Sequence, residues 1–242
     1  MNKFVVLLKG EQGRMRRYGI TYASLAVTAL WIILIQLLDI RDLDVYFPLF
    51  IFTDATMMSF LLVGVSMMFE KQESAMKTML VTPISKHHYL ASKITTTVIS
   101  SLTSLVLLGA YGIIFKNLSI NYWGIVGAVI LASFVYACIG ILFTYKSRDF
   151  TILLMWLMLF FFVLAVPSVL QMFHIITAEW FGYVQYINPT QAILTVLGAT
   201  VEEMDRVDLT VSLCYLVALS IVLYYFAARK FDGYSMKELG GE

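Results

Sequence analysis

Charge is scarce in this sequence. Asp, Glu, Lys and Arg make up 14% of its 242 residues, where a soluble domain carries about a quarter. With 60% hydrophobic residues and a mean hydropathy of +0.82, the composition excludes an ordinary soluble fold and points to an integral membrane protein. Cysteine is nearly absent too. Cys138 and Cys214 both lie in apolar runs and read as small core residues, not as a disulfide framework or a metal site. No G-x-x-x-x-G-K-[ST] loop occurs, so nucleotide hydrolysis by that route is excluded. H-E-x-x-H and G-x-S-x-G are missing as well. Glu202-Glu203 with Arg206 faintly resembles the glutamate pair of an intramembrane protease. That pair lies in an acidic loop, and no histidine stands at membrane depth to complete a site. There is no internal repeat, no low-complexity tract and no soluble segment long enough for a core of its own. The chain is expected to act without a cofactor or metal of its own.

What is present is a series of apolar runs. They read as six helices of the length needed to cross a hydrocarbon core of about 30 Å: 19–38, 46–69, 94–115, 122–145, 151–173 and 209–228. Helices are required because lipid offers the backbone no hydrogen-bond partner, and barrel strands would be half as long. The basic start of the chain is followed by about twenty apolar residues, longer than the core of a cleavable signal, so it is expected to stay as the first span. Residues 1–18 combine Phe4, Val5, Val6, Leu7 and Leu8 with Lys3, Lys9, Arg14, Arg16 and Arg17. They read either as an amphipathic helix in the headgroup region or as a basic tail that only sets orientation. With the N-terminus inside, fourteen of the seventeen Lys and Arg are cytoplasmic; Arg41, Lys116 and Arg206 are not. That bias places both termini in the cytoplasm of a multi-pass plasma-membrane protein.

Two stretches between spans carry information. Residues 70–93 hold Glu70, Lys71, Glu73, Lys77, Lys86, His87, His88 and Lys93, and so belong in water. Up to Thr82 the pattern is helical, with Ala75, Met76, Met79 and Leu80 on one face; Thr82-Pro83 then stops the helix. An amphipathic helix on the aqueous side of a membrane protein implies something to dock against. The adjacent His87 and His88 point about 100° apart on a helix and suit an interface better than one metal. Residues 174–208 are aromatic and apolar but broken by Gly182, Asn188-Pro189 and Gly198. A seventh span here would put the basic C-terminus outside. The segment therefore reads as two short helices that enter the outer leaflet and return, meeting near Asn188-Pro189; a simple interfacial loop is the alternative. Trp123, Trp180, Tyr183 and Tyr186 suit an interfacial belt. Asp54 stands about 12 Å into the second span. It is either a pathway residue, as intramembrane acids often are, or a side chain bonded to a neighbouring helix. Pro48 and Pro167 are expected to kink or start helices.

Together these features resemble the membrane permease of ABC-2 type exporters. The likeness is carried by Glu70-x-x-Glu73, by Met79-Leu80-Val81-Thr82-Pro83-Ile84-Ser85 and by Leu90-x-x-Lys93. They are similar to that family's E-x-x-x-G-T-x-x-x-L-x-x-T-P-[IV]-S and following lysine, with Ser74-Ala75 where Gly-Thr is common. The basic N-terminus, six spans and Asn-Pro segment extend the resemblance over essentially the whole chain as a single transmembrane domain. It implies an all-α fold in which two permease subunits pair, each docking on a separate ATPase subunit that binds ATP and Mg²⁺. The helix after span two would be the coupling helix, with Glu70, Glu73, Met76, Lys77, Met79, Leu80, Thr82 and Pro83 toward the ATPase. Asp54, Asn188 and Pro189 are the candidates for a translocation pathway. The expected function is outward movement of an amphipathic, drug- or lipid-like substrate; the alternative is an ATP-independent transporter or channel using Asp54.

Overall fold

The computed structural model describes residues 3–38, 40, 43–73, 85–173, 175–176, 179–201 and 204–238, all-helical with no strand among them. Helix α1 is Lys3–Arg17 and α2 is Ile20–Leu37, joined through Gly19 in the left-handed region at φ 76°. The second span is one long rod: α3 (Leu43–Ile51), a wide π turn at Phe52–Met57, and α4 (Met58–Gln72). Then follow α5 (Lys86–Lys116), α6 (Tyr122–Lys146) and α7 (Phe150–Phe160). A second π turn at Phe161–Ala165 leads into α8 (Val166–Met172). The short helices α9 (Glu179–Gln185) and α10 (Pro189–Gly198) precede the long α11 (Arg206–Glu238). Six of these rods are long and apolar enough to cross a membrane, as the hydropathy pattern predicts.

Local chemistry sets the boundaries. Asn121 and Asp149 accept hydrogen bonds from Gly124 N (3.1 Å) and Ile152 N (2.9 Å), capping α6 and α7. Ser85 caps α5, starting it after the proline-bearing stretch. Asn117 ends α5 in the left-handed conformation at φ 53°, a site where Asn or Gly is favoured. Pro48 lies within α3 without breaking it. Pro167 sits at the start of α8 just after a π turn, which absorbs the backbone bond a proline cannot make.

Helix α6 is the axle of the bundle, packing against α4, α5, α10 and α11. Val135, Tyr136, Ala137, Cys138 and Ile141 on it are fully buried. Outward faces are apolar, as a lipid-facing surface requires: Leu30 and Ile33 of α2 and Ile221 and Val222 of α11 are exposed. Trp123, Trp180 and Tyr186 are exposed near helix ends. One expectation is corrected. Cys138 is buried but Cys214 lies exposed on α11, because that helix has only one packed face. In the N-terminal helix Val5 and Val6 are exposed, and the buried face is Leu7, Glu11 and Met15.

Candidate functional site

Residues on either side of the stretch 74–84 in the sequence converge in space. Lys93, on the first turns of α5, is 1% exposed. Its Nζ lies 2.6 Å from Glu11 Oε1, 2.9 Å from Glu70 Oε1 and 2.7 Å from Ser66 Oγ. Arg14 adds a second cation, with Nε 3.0 Å from Glu70 and an ion pair to Glu11 one turn away. Tyr89 Oη donates to the other Glu70 oxygen at 2.8 Å, and Ser66 donates to Glu11 at 2.6 Å. Two acids and two bases from α1, α4 and α5 thus neutralise one another inside the protein. A buried charge survives only when paired in this way.

Glu70 is therefore fully buried and takes its partners from inside the protein. Glu73 is exposed and accepts from Tyr18 Oη at 2.6 Å, while the Tyr18 ring stacks on Phe69 at 4.8 Å. Burial and the Glu73 carboxylate push the Tyr18 phenol up to about 12. Met76, Lys77, Met79, Leu80, Thr82 and Pro83 lie outside the described residues. His87 and His88 diverge: His87 Nδ1 is 3.0 Å from Tyr224 Oη and His88 Nδ1 bonds Ser85 Oγ. His174 lies outside the described residues.

Burial opposes ionisation of Glu11, yet Lys93 and Arg14 outweigh it and hold the carboxyl at about 2 against an ordinary 4.5. A carboxyl held low contributes stability that is fully present above its unfolded pKa and drains away as pH falls from 4.5 toward 2. Thermal melts of the purified chain should therefore drop as pH is lowered from 5 to 3. Glu11→Gln should start less stable at pH 7 and fall less steeply. Parallel curves for the two proteins would show that Glu11 is not the group responsible.

A file of hydroxyls leads from the ion cluster into the bundle. Along the buried side of α5, Lys93, Thr97, Ser101 and Ser104 recur at helical spacing. Ser101 meets Ser59 at 2.7 Å. Ser104 meets Thr28 at 2.9 Å, and Thr28 donates to Asp54 Oδ2 at 2.7 Å. From Lys93 to Ser104 is about 16 Å of helix. Asp54 is 1% exposed, sits in the π turn, and its Oδ1 has no hydrogen-bond partner among the described residues. Both readings of Asp54 keep some support: one oxygen is tied to a neighbouring helix, and the other is uncommitted.

The Asn188-Pro189 pair stands at comparable depth. Thr190, at the start of α10, lies 3.0 Å from Tyr136 Oη, and Tyr136 is in the middle of α6. Asn188 donates through Nδ2 to Leu164 O within the second π turn (2.9 Å), to Ser168 (2.9 Å) and to Gln185 (2.7 Å). It also caps α10 through Thr190 N at 3.0 Å. Helix α10 thus packs into the bundle against α6 and α11, while α9 leaves Trp180 and Val184 exposed and joins it through Gln185. Between them and α11 opens a cleft of about 270 Å³ bordered by Gln171, Gln191, Asp205 and Asp208.

The residues the sequence reading missed are Glu11 and Arg14. Glu11 is the only acid among the first eighteen residues and shares a helical face with Leu7 and Met15. That lone acid on an apolar stripe is the signal that marks it.

Comparison with known proteins agrees with a transport role. The profile of the fluoroquinolones export permease protein family matches residues 2–238. The chain is also similar to the fluoroquinolones export permease proteins of Mycobacterium tuberculosis strains CDC 1551 and H37Rv. Each is 24% identical over 205 residues, covering 85% of this chain and 84% of the relative.

Proposed function

The chain belongs to the fluoroquinolones export permease protein family, and on that premise we propose that it is the transmembrane subunit of an ATP-driven exporter of the ABC-2 type. It is a multi-pass membrane transporter permease by family and by its six apolar helices. In the proposed assembly it pairs with a second permease subunit in the plasma membrane, with both termini in the cytoplasm. A separate ATPase subunit binds ATP and Mg²⁺ and supplies the free energy. The exported substrate is amphipathic and drug- or lipid-like, in keeping with the fluoroquinolones in the relatives' names.

The observation that carries this reading is the clamp between Glu70 and Lys93, charged residues on either side of 74–84 in the sequence. The chain enters that stretch from Glu70 and leaves it toward Lys93, and both are locked to Glu11 and Arg14. A displacement of the stretch by a docked ATPase would be passed to α1, α4 and α5 together, not lost in a loose loop. Coupling requires two bundle states with different affinity for cargo, and a clamp shared by three helices links them to one input.

The test is reconstitution. The chain should co-purify with a phosphate-loop ATPase and export only with ATP. Replacing Met79 and Leu80 by alanine should leave insertion and ATP hydrolysis intact while reducing export at least tenfold, since interface anchors of this type contribute about 2 kcal/mol each. A double variant that exports normally removes the coupling assignment. Asp54, with its uncommitted buried oxygen, favours one second reading: export driven by an ion gradient without an ATPase. Full transport by the purified chain in an imposed proton gradient, without ATP, would establish that reading and exclude the first.

A further inference from the structure

Two arginines two residues apart on α1 serve different purposes. Arg14 is spent on Glu11 and Glu70. Arg16 is exposed, pairs with no acid among the described residues, and borders a groove of about 430 Å³ between α1, the start of α2 and the first half of α5. Gln12, Thr21 and Ser100 reach the same groove, and none of their side chains makes a hydrogen bond among the described residues. Tyr22 and Ile99 provide apolar walls. No acid lines it.

Such a lining is out of place on the outside of a membrane bundle. Gln12, Thr21 and Ser100 leave polar side-chain groups without a partner among the described residues on this surface, and such groups are best satisfied by a polar occupant. The groove lies at the charged end of the bundle, beside Arg16 and Arg17 and one turn beyond Lys93. There it opens toward headgroups and first acyl carbons of one leaflet. A single guanidinium offers a planar donor pair matched to a carboxylate or phosphate, an amide and two hydroxyls can complete its shell, and an aromatic wall can take an apolar body.

We propose that this α1–α2–α5 groove binds an anionic amphiphile, a carboxylate or phosphate joined to an apolar body, at the inner leaflet as it begins its passage outward. The proposal rests on the exporter reading for the word passage, and on the groove alone for binding. Arg16 holds the anion, Gln12, Thr21 and Ser100 donate to it, and Tyr22 and Ile99 contact its apolar part.

Binding is tested on the purified full-length chain in dodecyl maltoside, by fluorescence anisotropy of a fluoroquinolone bearing its free carboxylate and of its methyl ester. The carboxylate form should bind more tightly than the ester. Arg16→Gln should weaken the carboxylate form about tenfold or more, the size of one hydrogen bond to a charged group, and leave the ester unchanged. Arg17→Gln removes the same charge outside the groove and should change neither. Ser100→Ala, at a position too peripheral to endanger folding, should weaken the carboxylate form in the same sense. Equal affinity of acid and ester, or equal effects at Arg16 and Arg17, overturns the site. Dioleoylphosphatidylglycerol is titrated in a second arm. If it binds in an Arg16-dependent way and the fluoroquinolone does not displace it, the occupant is a lipid headgroup and the cargo assignment is overturned. ATP-driven export by the reconstituted complex is scored separately. Export retained without acid-selective binding removes the groove, whereas binding retained without export removes the exporter reading.

Discussion

Lys93→Met should sharply lower the melting temperature of the purified protein. The substitution keeps an unbranched apolar stem and deletes the terminal ammonium with its charge and donors. It leaves Glu11 and Glu70, at 1% and 0% exposure, sharing the single remaining cation of Arg14. An uncompensated buried carboxylate costs about 3–5 kcal/mol, against a total stability on the order of 5–15 kcal/mol. The compensating variant decides the mechanism. In Glu11→Gln/Lys93→Met one acid and one base are removed together, Arg14 and Glu70 remain paired, and part of the lost stability should return. Size-exclusion profiles and thermal melts of the four proteins form a double-mutant cycle, and a coupling of more than about 1.5 kcal/mol is expected for groups in direct contact. A melting temperature for Lys93→Met equal to the parent's would mean that the cluster contributes nothing to holding α1, α4 and α5 together.

The second large effect concerns a close approach of α4 and α6. A Cβ added at Gly140 would sit 2.7 Å from the carbonyl oxygen of Phe60 and 3.2 Å from its Cα. Backbone cannot rotate away as a side chain can, so Gly140→Ala must push α4 and α6 apart. Loss of about 1–3 kcal/mol is typical of such overpacking, and small residues at crossings are what let membrane helices approach. Two other glycines supply the scale. At Gly64 the added carbon meets the far end of the Leu153 side chain at 2.8 Å, and a rotamer change costing about 0.5–1.5 kcal/mol relieves it. At Gly109 it meets nothing within 4 Å, so alanine there should be neutral or gain up to about 1 kcal/mol of helix propensity. Melting temperatures in the order Gly109→Ala, Gly64→Ala, Gly140→Ala, highest to lowest, are expected. A Gly140→Ala protein as stable as the Gly109→Ala protein would refute the close crossing.

Both predictions depend on partners far apart in the sequence, which shows where reading the chain alone runs out. The six spans were legible because each is a long apolar run, and in lipid such a run has one way to satisfy its backbone. The caps at Asn121 and Asp149 came from the structure, although short acceptor side chains just before an apolar run are the local signal for them. The break at Asn188-Pro189 was legible because proline cannot continue a helix from the residue before it. Asp54 announced itself as an acid in an apolar run. What the run could not say is that Thr28 binds one of its oxygens from 26 positions away, and that a π turn carries it.

Glu70 is the instructive case. In the sequence it opens a charged stretch and reads as part of an aqueous contact surface; in the folded chain it is enclosed. The difference lies in Lys93 and Arg14, 23 residues after it and 56 before it. Charge pairing acts through space and leaves no periodic trace along the chain, whereas hydropathy and capping act between near neighbours and do. The sequence by itself therefore determined the number of spans and the asymmetry of basic residues. Only the tertiary structure decided which charges face water and which lock α1, α4 and α5 together, because that depends on three helices meeting at one point.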